Sequence, residues 1–303
     1  LSFDYKNHEV ISMPLPSSGG TLLAQMLKMS SFENLEKYEQ NSPEALQIMV
    51  EAERRAYADR AEYMGDPDFI TDKTEMLISD KYLKDRWKNF SFEKATPSAE
   101  VGKIVNQPKE SEQTTHLSII DKYGNAVSVT TTLNGLYGSK VVVKGGGYFL
   151  NNEMDDFSVK PGVPNMYGAV GGEANSIAPN KRMLSSMTPT IVLKNGKPFI
   201  IVGTPGGTTI PTSVYQSIVN AIDFKLSPNF VINAPKFHHQ WLPEVVFVEK
   251  NFPQSTLKAL EQKNYKFEKR GGIGRTEMII IDEKGNAAAV ADGRGDDSVA
   301  VEN

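Results

Sequence analysis

Two adjacent threonines, Thr114 and Thr115, precede an alternating apolar run in ESEQTTHLSIID, residues 111–122. A neutral hydroxyl is a weak nucleophile and needs a base that takes its proton. No serine or threonine lies in a G-x-S-x-G elbow, and the four histidines show no triad order. A threonine freed as a new N-terminus carries its own base, because an α-amine has a reference pKa of about 7.7–8.0. Thr114 is therefore either a nucleophile released by cleavage after Gln113 or the ordinary first residue of a strand.

The elements around these threonines change character near residue 110. After it, three stretches alternate about a turn and predict hairpins: HLSIIDKYGNAVSVTTTLN, TIVLKNGKPFIIVG and EMIIIDEKGNAAAVAD. Residues 211–224 have an apolar stripe at helical spacing between the last two. Hairpins combined with amphipathic helices predict a layered α+β domain.

Helical patterns dominate the first third of the chain. Ser42-Pro43-Glu44 predicts the start of a long amphipathic helix, and an earlier helix is predicted over about residues 18–29. Residues 94–113 contain prolines and no periodicity, so they predict an exposed linker.

Composition excludes several function classes. Hydrophobic residues make up 39% and charged residues 23%, and no apolar run approaches the ~18 residues of a membrane span. A formal charge of -4 without a basic cluster argues against a nucleic-acid partner. Without cysteine there are no disulfides or thiolate metal sites. The sequence has no signal peptide, and because it starts at Leu1 rather than Met, it is interpreted as a possible piece of a longer or processed chain.

Two further motifs predict no ligand. Adjacent His238 and His239 cannot face one metal ion from a regular element, which indicates packing or surface roles. GGIGR, residues 271–275, lacks the full Gly-x-Gly-x-x-Gly pattern and precedes a strand, which indicates a loop rather than a phosphate site.

Longer motifs carry a family resemblance. TTHLSIIDKYGNAVSVTTTLN, LNNEMDDFSVKPGVPNMYGAVGG, KRMLSSMTPTIVLKNGK and GTPGG occur in one register, preceded by VISMPLPSSGG and EAERRAYADRAEYMGDPDF. The chain thereby resembles the γ-glutamyltranspeptidases, members of the N-terminal-nucleophile hydrolases. The resemblance implies a four-layer αββα sandwich. It also implies that residues 1–113 are the C-terminal part of the large subunit and residues 114–303 the small subunit.

The resemblance also implies roles for individual residues. Thr114 matches the nucleophile freed by self-cleavage, and Thr132 matches the threonine that hydrogen-bonds it. Asn134, Glu153 and Asp156 match the groups that bind the α-amino and α-carboxyl ends of the γ-glutamyl donor. Ser185 and Ser186 match the pair that holds its carboxylate, and Gly206 and Gly207 match the oxyanion hole. Tyr167 matches the aromatic residue that shields the pocket from the lid loop of residues 161–172.

One family feature has no match. The family's large subunit supplies an arginine for the donor carboxylate from a region without counterpart here. Arg54, Arg55 and Arg60 lie in a different motif and are not assigned this role, so the source of the cation stays open and weak donor binding is expected. Full activity would instead indicate that Lys181 or Arg182, beside the serine pair, binds the carboxylate.

The implied activity is transfer of a γ-glutamyl group from glutathione-like donors to water, amino acids or peptides, without metal or organic cofactor. Association of the two subunits after cleavage and a periplasmic or extracellular location are implied by the resemblance alone. Two alternatives stay open: a poly-γ-glutamate depolymerase of the same superfamily, and an inactive γ-glutamyl-binding fragment.

Overall fold

The computed structural model describes residues 1–102, 114–158, 160–161, 163 and 171–302. Gln113 and Tyr167 lie outside these residues, so their assignments stay predictions. The described α-helices are α1 (Gly19–Ser31), α2 (Pro43–Tyr63), α3 (Thr74–Leu77), α4 (Asp80–Trp87), α5 (Ser98–Val101), α6 (Thr209–Ile222), α7 (Pro228–Asn233) and α8 (Gln254–Glu261). The described strands are β1 (Ser2–Tyr5), β2 (His8–Ile11), β3 (Thr115–Ile120), β4 (Ala126–Thr131), β5 (Thr190–Lys194), β6 (Lys197–Gly203), β7 (Phe237–His238), β8 (Val246–Glu249), β9 (Phe267–Arg270), β10 (Glu277–Ile281) and β11 (Ala287–Val290).

The helix starting at Pro43 is confirmed as α2. The Ser42 hydroxyl accepts a hydrogen bond from the backbone N–H of Ala45 at 3.3 Å, and proline occupies the first turn, where its missing N–H costs nothing. The predicted earlier helix corresponds to α1. Almost all of α2 is buried, so its charged residues need partners inside the protein.

The central sheet joins both parts of the chain. Its strand order is β1-β2-β5-β6-β10-β11, with every pair antiparallel. The β5–β6 and β10–β11 pairs confirm two predicted hairpins. The β1–β2 pair was not predicted, since the first third of the sequence reads as helical. Residues on both sides of Thr114 share one sheet. We therefore propose that this boundary separates two parts of the chain that fold together as one unit.

The third predicted hairpin, β3–β4, packs as a second layer on this sheet. Ile200 and Val202 of β6 join the core formed with the helices, and buried Ile201 points to the opposite face, which the hairpin covers. His116 fills the space above Gly203, where any side chain would overlap its ring. Burial lowers the pKa of His116 to about 4, so the ring is neutral between the layers.

Helices α1, α6 and α7 cover the helix-side face of the sheet, and α2 packs against α1. The order is therefore helices, six-stranded sheet and hairpin, which confirms the α+β class. The outer face of the hairpin exposes apolar side chains, namely Leu117, Ile119, Val127 and Val129. An apolar face of this kind is typical of a surface that packs against further protein.

The prediction of an exposed linker over residues 94–113 is wrong in part, at residues that the structure describes. Thr96, Ser98 and Val101 are buried, and the Ser98 hydroxyl donates to the Trp241 carbonyl at 2.8 Å. Trp241 lies beside the small sheet β7-β8-β9, which was also not predicted. Within the described residues, no helix combines the length and apolar character needed to cross a membrane.

Candidate active site

Thr114 lies directly before β3 and faces Thr132, directly after β4. The register pairs Thr115 with Thr131, so the next residues outward, Thr114 and Thr132, end the same hairpin. Their Oγ1 atoms are 3.4 Å apart, and the Thr132 Oγ1 accepts a hydrogen bond from the Asn134 N–H at 2.8 Å. This bond orients the Thr132 hydroxyl towards Thr114. Neighbouring Thr115 is exposed.

Gly206 and Gly207 connect β6 to α6. Their φ values are 141° and 55°, which favour glycine, and a side chain on Gly206 would overlap the Thr209 hydroxyl. The glycines precede the N-terminal turn of α6, where the helix dipole favours negative charge. The turn therefore suits an oxyanion beside Thr114.

A small cavity of about 30 Å³, here called the inner cavity, opens beside the Thr114 hydroxyl. It brings together most of the residues that the sequence singled out, with one buried arginine that it did not. The lining residues are Arg60, Thr114, Thr132, Asn134, Asp156, Ser185, Ser186, Met187, Gly207, Thr208 and Ile210.

Arg60 lines the inner cavity, although the sequence analysis assigned it no role there. It is 6% exposed, and its guanidinium donates to the hydroxyls of Ser18 at 3.0 Å and Ser186 at 3.2 Å. Among the described residues, no carboxylate lies within ion-pair distance of it. The helical stripe through Ala52 and Ala56 continues to position 60, so the sequence pattern predicts that Arg60 is buried. Because a buried arginine is rare, this pattern could have indicated Arg60 as a candidate.

The other candidate cations have different partners. Arg54 and Arg55 pair with buried Glu51 on the same helix. The Arg182 guanidinium contacts Asp66 at 2.5 Å and Asp68 at 2.7 Å, and the Lys181 ammonium donates to the Ala174 carbonyl at 2.9 Å. Neither Lys181 nor Arg182 lines the inner cavity.

The serine pair is held by the loop before α1. The Ser185 backbone bonds to the Pro16 carbonyl and the Ser18 N–H at 2.8 and 2.9 Å, which forms a short parallel bridge. The Ser185 hydroxyl accepts from the Met187 N–H at 3.0 Å, whereas the Ser186 hydroxyl accepts from Arg60. Two distant segments therefore place both hydroxyls on the inner cavity.

Asp156 is the carboxylate of the inner cavity. It ends the short 3₁₀ turn Glu153–Asp156, and burial raises its pKa to about 7; Arg60 opposes the shift, and Glu153 and Asp155 add to it. Burial also raises the pKa of Glu153, which does not line the cavity. Asn134, which is 2% exposed, donates to the Asn152 carbonyl at 3.0 Å and thus ties the hairpin to this turn.

A second, larger cavity of about 310 Å³, here called the outer cavity, also borders Thr114. Its lining residues are Thr114, Pro205, Gly206, Gly272, Gly274, Arg275 and Arg294. Thr114 is common to both cavities, with Gly207 on the inner and Gly206 on the outer one. A ligand that occupied both cavities would therefore place the bond between its two parts next to the Thr114 hydroxyl.

Glu277 and Asp297 form a carboxyl pair near Arg275. Burial first, and then the charge of Asp297, raise the pKa of Glu277 to about 8.

The folded state keeps a proton on Glu277 that the unfolded state releases near pH 4.3, so the free energy of unfolding falls as pH rises from there through about 8. Glu277→Gln is expected to remove most of this fall in the free energy of unfolding. The fall itself is on the order of 1 kcal/mol, because solvent screens part of the effect. Thermal unfolding at about pH 5 and about pH 8.5 checks it, and equal pH dependence in both proteins contradicts it.

The two adjacent histidines have packing roles. The His238 ring contacts the Thr212 hydroxyl and the Gln240 side-chain oxygen, each at 2.9 Å, and His239 is fully buried. The part of the chain that the structure describes contains no group of three or more His, Cys, Asp or Glu placed to hold a metal ion.

Comparison with known proteins places the chain in a family. The family model described as gamma-glutamyltranspeptidase matches residues 1–302. A glutathione hydrolase proenzyme of Escherichia coli is 48% identical over 301 residues, which cover 99% of this chain and 52% of that protein. The chain thus spans about half the length of the curated relatives it matches.

Solved structures agree with this placement. A γ-glutamyltranspeptidase T380A mutant of Helicobacter pylori is 48% identical and has a TM-score of 0.58, covering 60% of this chain and 100% of that one. A cephalosporin acylase of Bacillus halodurans is 26% identical with a TM-score of 0.82, covering 100% of this chain and 53% of that one. The sequence motifs, the fold and the family model agree: the chain belongs to the γ-glutamyltranspeptidase family.

Proposed function

We propose that this chain carries the active site of a γ-glutamyltransferase that also hydrolyses glutathione, with Thr114 as nucleophile. The observation that supports it most is the inner cavity, where a buried cation, a half-buried carboxylate and two serine hydroxyls lie beside a threonine hydroxyl. A glutamate head carries an ammonium and a carboxylate, which need an anion and hydrogen-bond donors respectively. The E. coli relative is named a glutathione hydrolase proenzyme, which agrees with this substrate class.

Maturation would use the same hydroxyl as turnover. The Thr114 Oγ1 attacks the carbonyl carbon of Gln113, the peptide C–N bond breaks, and the Thr114 nitrogen becomes a free amine as an ester forms. Water then hydrolyses this ester and releases the hydroxyl. In support, the E. coli relative is named a proenzyme.

Turnover would then follow from the free amine. Near neutral pH the Thr114 amine takes the hydroxyl proton as Oγ1 attacks the γ-carbonyl carbon of the donor. The oxyanion faces the Gly206–Gly207 turn, and the hydroxyl of Thr132 stabilises the attacking oxygen. The amide C–N bond breaks, the departing nitrogen takes the proton, and a γ-glutamyl ester remains. Water or an acceptor amine attacks this ester and restores the hydroxyl.

Donor orientation would depend on opposite charges on the inner cavity. Asp156 and Asn134 accept hydrogen bonds from the α-ammonium, and Ser185, Ser186 and Arg60 face the α-carboxylate. We propose Arg60 as the cation for that carboxylate, either directly or by holding the Ser186 hydroxyl. Glu153 raises the pKa of Asp156 and extends the negative potential around the ammonium.

A substrate panel tests the proposed function. The purified protein is expected to hydrolyse γ-glutamyl-p-nitroanilide and to react faster when glycylglycine is added as acceptor, because an amine competes with water for the ester. The α-glutamyl anilide is the matched control: its reactive carbonyl belongs to the α-carboxyl group, so the head that the inner cavity would bind is lost. We expect at least a 100-fold lower kcat/KM for it, the scale of losing one charge-assisted contact.

The two alternatives give different results in this panel. A poly-γ-glutamate depolymerase would shorten the polymer faster than it cleaves glutathione, which chromatography of the polymer measures. A binding fragment would retain γ-glutamyl ligands in calorimetry without any release of nitroaniline. Equal rates with the α- and γ-glutamyl anilides would contradict a role for the inner cavity.

A further inference from the structure

Asn175 lies in the short 3₁₀ turn Glu173–Asn175 and is 4% exposed, although it does not line the inner cavity. Its side-chain amide makes two hydrogen bonds to separate parts of the chain. The Nδ2 group donates to the backbone carbonyl of Asp156 at 2.7 Å, and the Oδ1 atom accepts from the backbone N–H of Leu184 at 3.0 Å. One buried side chain therefore connects the segment of the cavity carboxylate to the segment of the serine pair.

The two partners of this amide belong to the two groups of side chains that bind the donor head in the proposed function. Asp156 supplies the carboxylate for the ammonium, and Leu184 directly precedes Ser185, the first residue of the serine pair. The ammonium and the α-carboxylate of a glutamate head are attached to the same carbon atom. The distance between their two binding groups must therefore match a fixed molecular length.

The backbone of the turn is fixed at the end of helix α2. The Gly172 N–H donates to the carbonyl of Ala61, the residue after Arg60, at 2.9 Å. A side chain on Gly172 would lie 2.6 Å from that same oxygen, so this close approach requires glycine. The Asn175 carbonyl accepts from the Ser158 N–H at 2.8 Å. The Asn175 amide is thus presented from a backbone that is held on both sides.

The chemistry of an amide suits this connection. An amide has a donor and an acceptor on two atoms at a fixed separation, whereas a hydroxyl would have to serve both partners from one atom. An ionised carboxylate would have no donor for the Asp156 carbonyl. Because both partners are backbone groups, the amide restrains the chain itself on each side of the inner cavity.

We propose that Asn175 is a positioning residue that fixes the separation between Asp156 and the serine pair, and that the protein thereby selects donors with an ammonium and a carboxylate on one carbon. This inference rests on the proposed function. Asn175 acts through its two backbone partners and takes part in no bond change. Without its amide, Asp156 and Ser185 can shift relative to each other, so a donor would satisfy one contact at the expense of the other.

The test uses four p-nitroanilides that differ only in these two charges: γ-glutamyl with both, glutaryl without the ammonium, 4-aminobutyryl without the carboxylate, and butyryl with neither. In the wild-type protein the two charges together should raise kcat/KM by more than the product of their separate effects, because both binding groups are already correctly spaced.

In Asn175→Ala, kcat/KM for the γ-glutamyl anilide should fall by between about tenfold and 100-fold, mainly through a higher KM. The other three anilides should change by less than about threefold, since a donor with one charge or none can follow a displaced binding group. Asn175→Ser keeps one polar atom for two partners and should lose part of the selectivity. The extent of cleavage before Thr114 and thermal unfolding, measured on the same preparations, show whether each variant folds.

Asn220→Ala is the matched control. Asn220 is 6% exposed, donates to the Val231 carbonyl at 3.2 Å, and does not line the inner cavity. Its replacement also removes a buried bond from an amide to the backbone, and it should leave the selectivity among the four anilides as in the wild-type protein.

The possible results separate this inference from a purely structural role. An equal fall for all four anilides in Asn175→Ala, or no change, would overturn the inference and leave the proposed function standing. Loss of folding in both Asn175→Ala and Asn175→Ser would assign Asn175 to the stability of the fold alone and would also overturn it. If the wild-type protein cleaves none of the four anilides, the proposed function itself fails.

Discussion

Thr114→Ala is expected to remain one uncut chain and to lose turnover by on the order of 10⁶-fold, the scale for loss of a catalytic nucleophile. One hydroxyl would serve both reactions, because both need the same attacking atom and the same oxyanion donors at Gly206 and Gly207. Mass spectrometry of the purified protein shows whether the bond before residue 114 is cut. Hydrolysis of γ-glutamyl-p-nitroanilide measures the turnover.

Two further variants make this result specific. Thr115→Ala is the matched control, since Thr115 is the exposed neighbour and pairs only with Thr131 across the hairpin. It should be cut and active to within a few-fold of wild type. Thr114→Ser retains a hydroxyl and should still be cut, more slowly. Two fragments or retained activity in Thr114→Ala would contradict the assignment of Thr114.

Asp156→Ala is expected to lower kcat/KM for γ-glutamyl donors by between tenfold and several thousandfold. Removing one member of a partly desolvated charge pair costs about 2–5 kcal/mol, because the remaining charge stays buried without its partner. Self-cleavage should change much less, since the residue before Thr114 presents no free ammonium to this carboxylate. Steady-state kinetics and the extent of cleavage, measured on the same preparation, separate the two effects.

A pH profile adds a readout that a merely structural role would not give. Burial raises the pKa of Asp156 to about 7, and only the ionised carboxylate attracts an ammonium. The kcat/KM for the donor should therefore fall below about pH 7, in addition to any dependence from the Thr114 amine. In Asp156→Asn the Asp156 limb should disappear. Asp155→Asn, in the same turn but outside the inner cavity, should keep this limb and shift it to lower pH, because one neighbouring charge is gone. Unchanged donor kinetics in Asp156→Ala would end the assigned role.

Several elements were predictable because their causes are local. Alternating apolar residues about Gly-Asn or Asn-Gly turns predicted three hairpins, and a serine cap followed by proline predicted the start of α2. The strands β1 and β2 were missed because each has four residues, and because β2 is stabilised by pairing with β5, far along the chain. Short segments of this kind adopt the conformation that their tertiary neighbours impose.

The sequence by itself determined the family, the position of Thr114 at the start of a strand, and most of the residues around it, since these follow from ordered motifs and local patterns. Only the tertiary structure decided which cations face the nucleophile. Arg60 donates to the Ser186 hydroxyl across a sequence separation of 126 residues, whereas Arg182 is paired with Asp66. Which charge is paired and which remains available depends on packing between segments distant in sequence, and no local pattern records that.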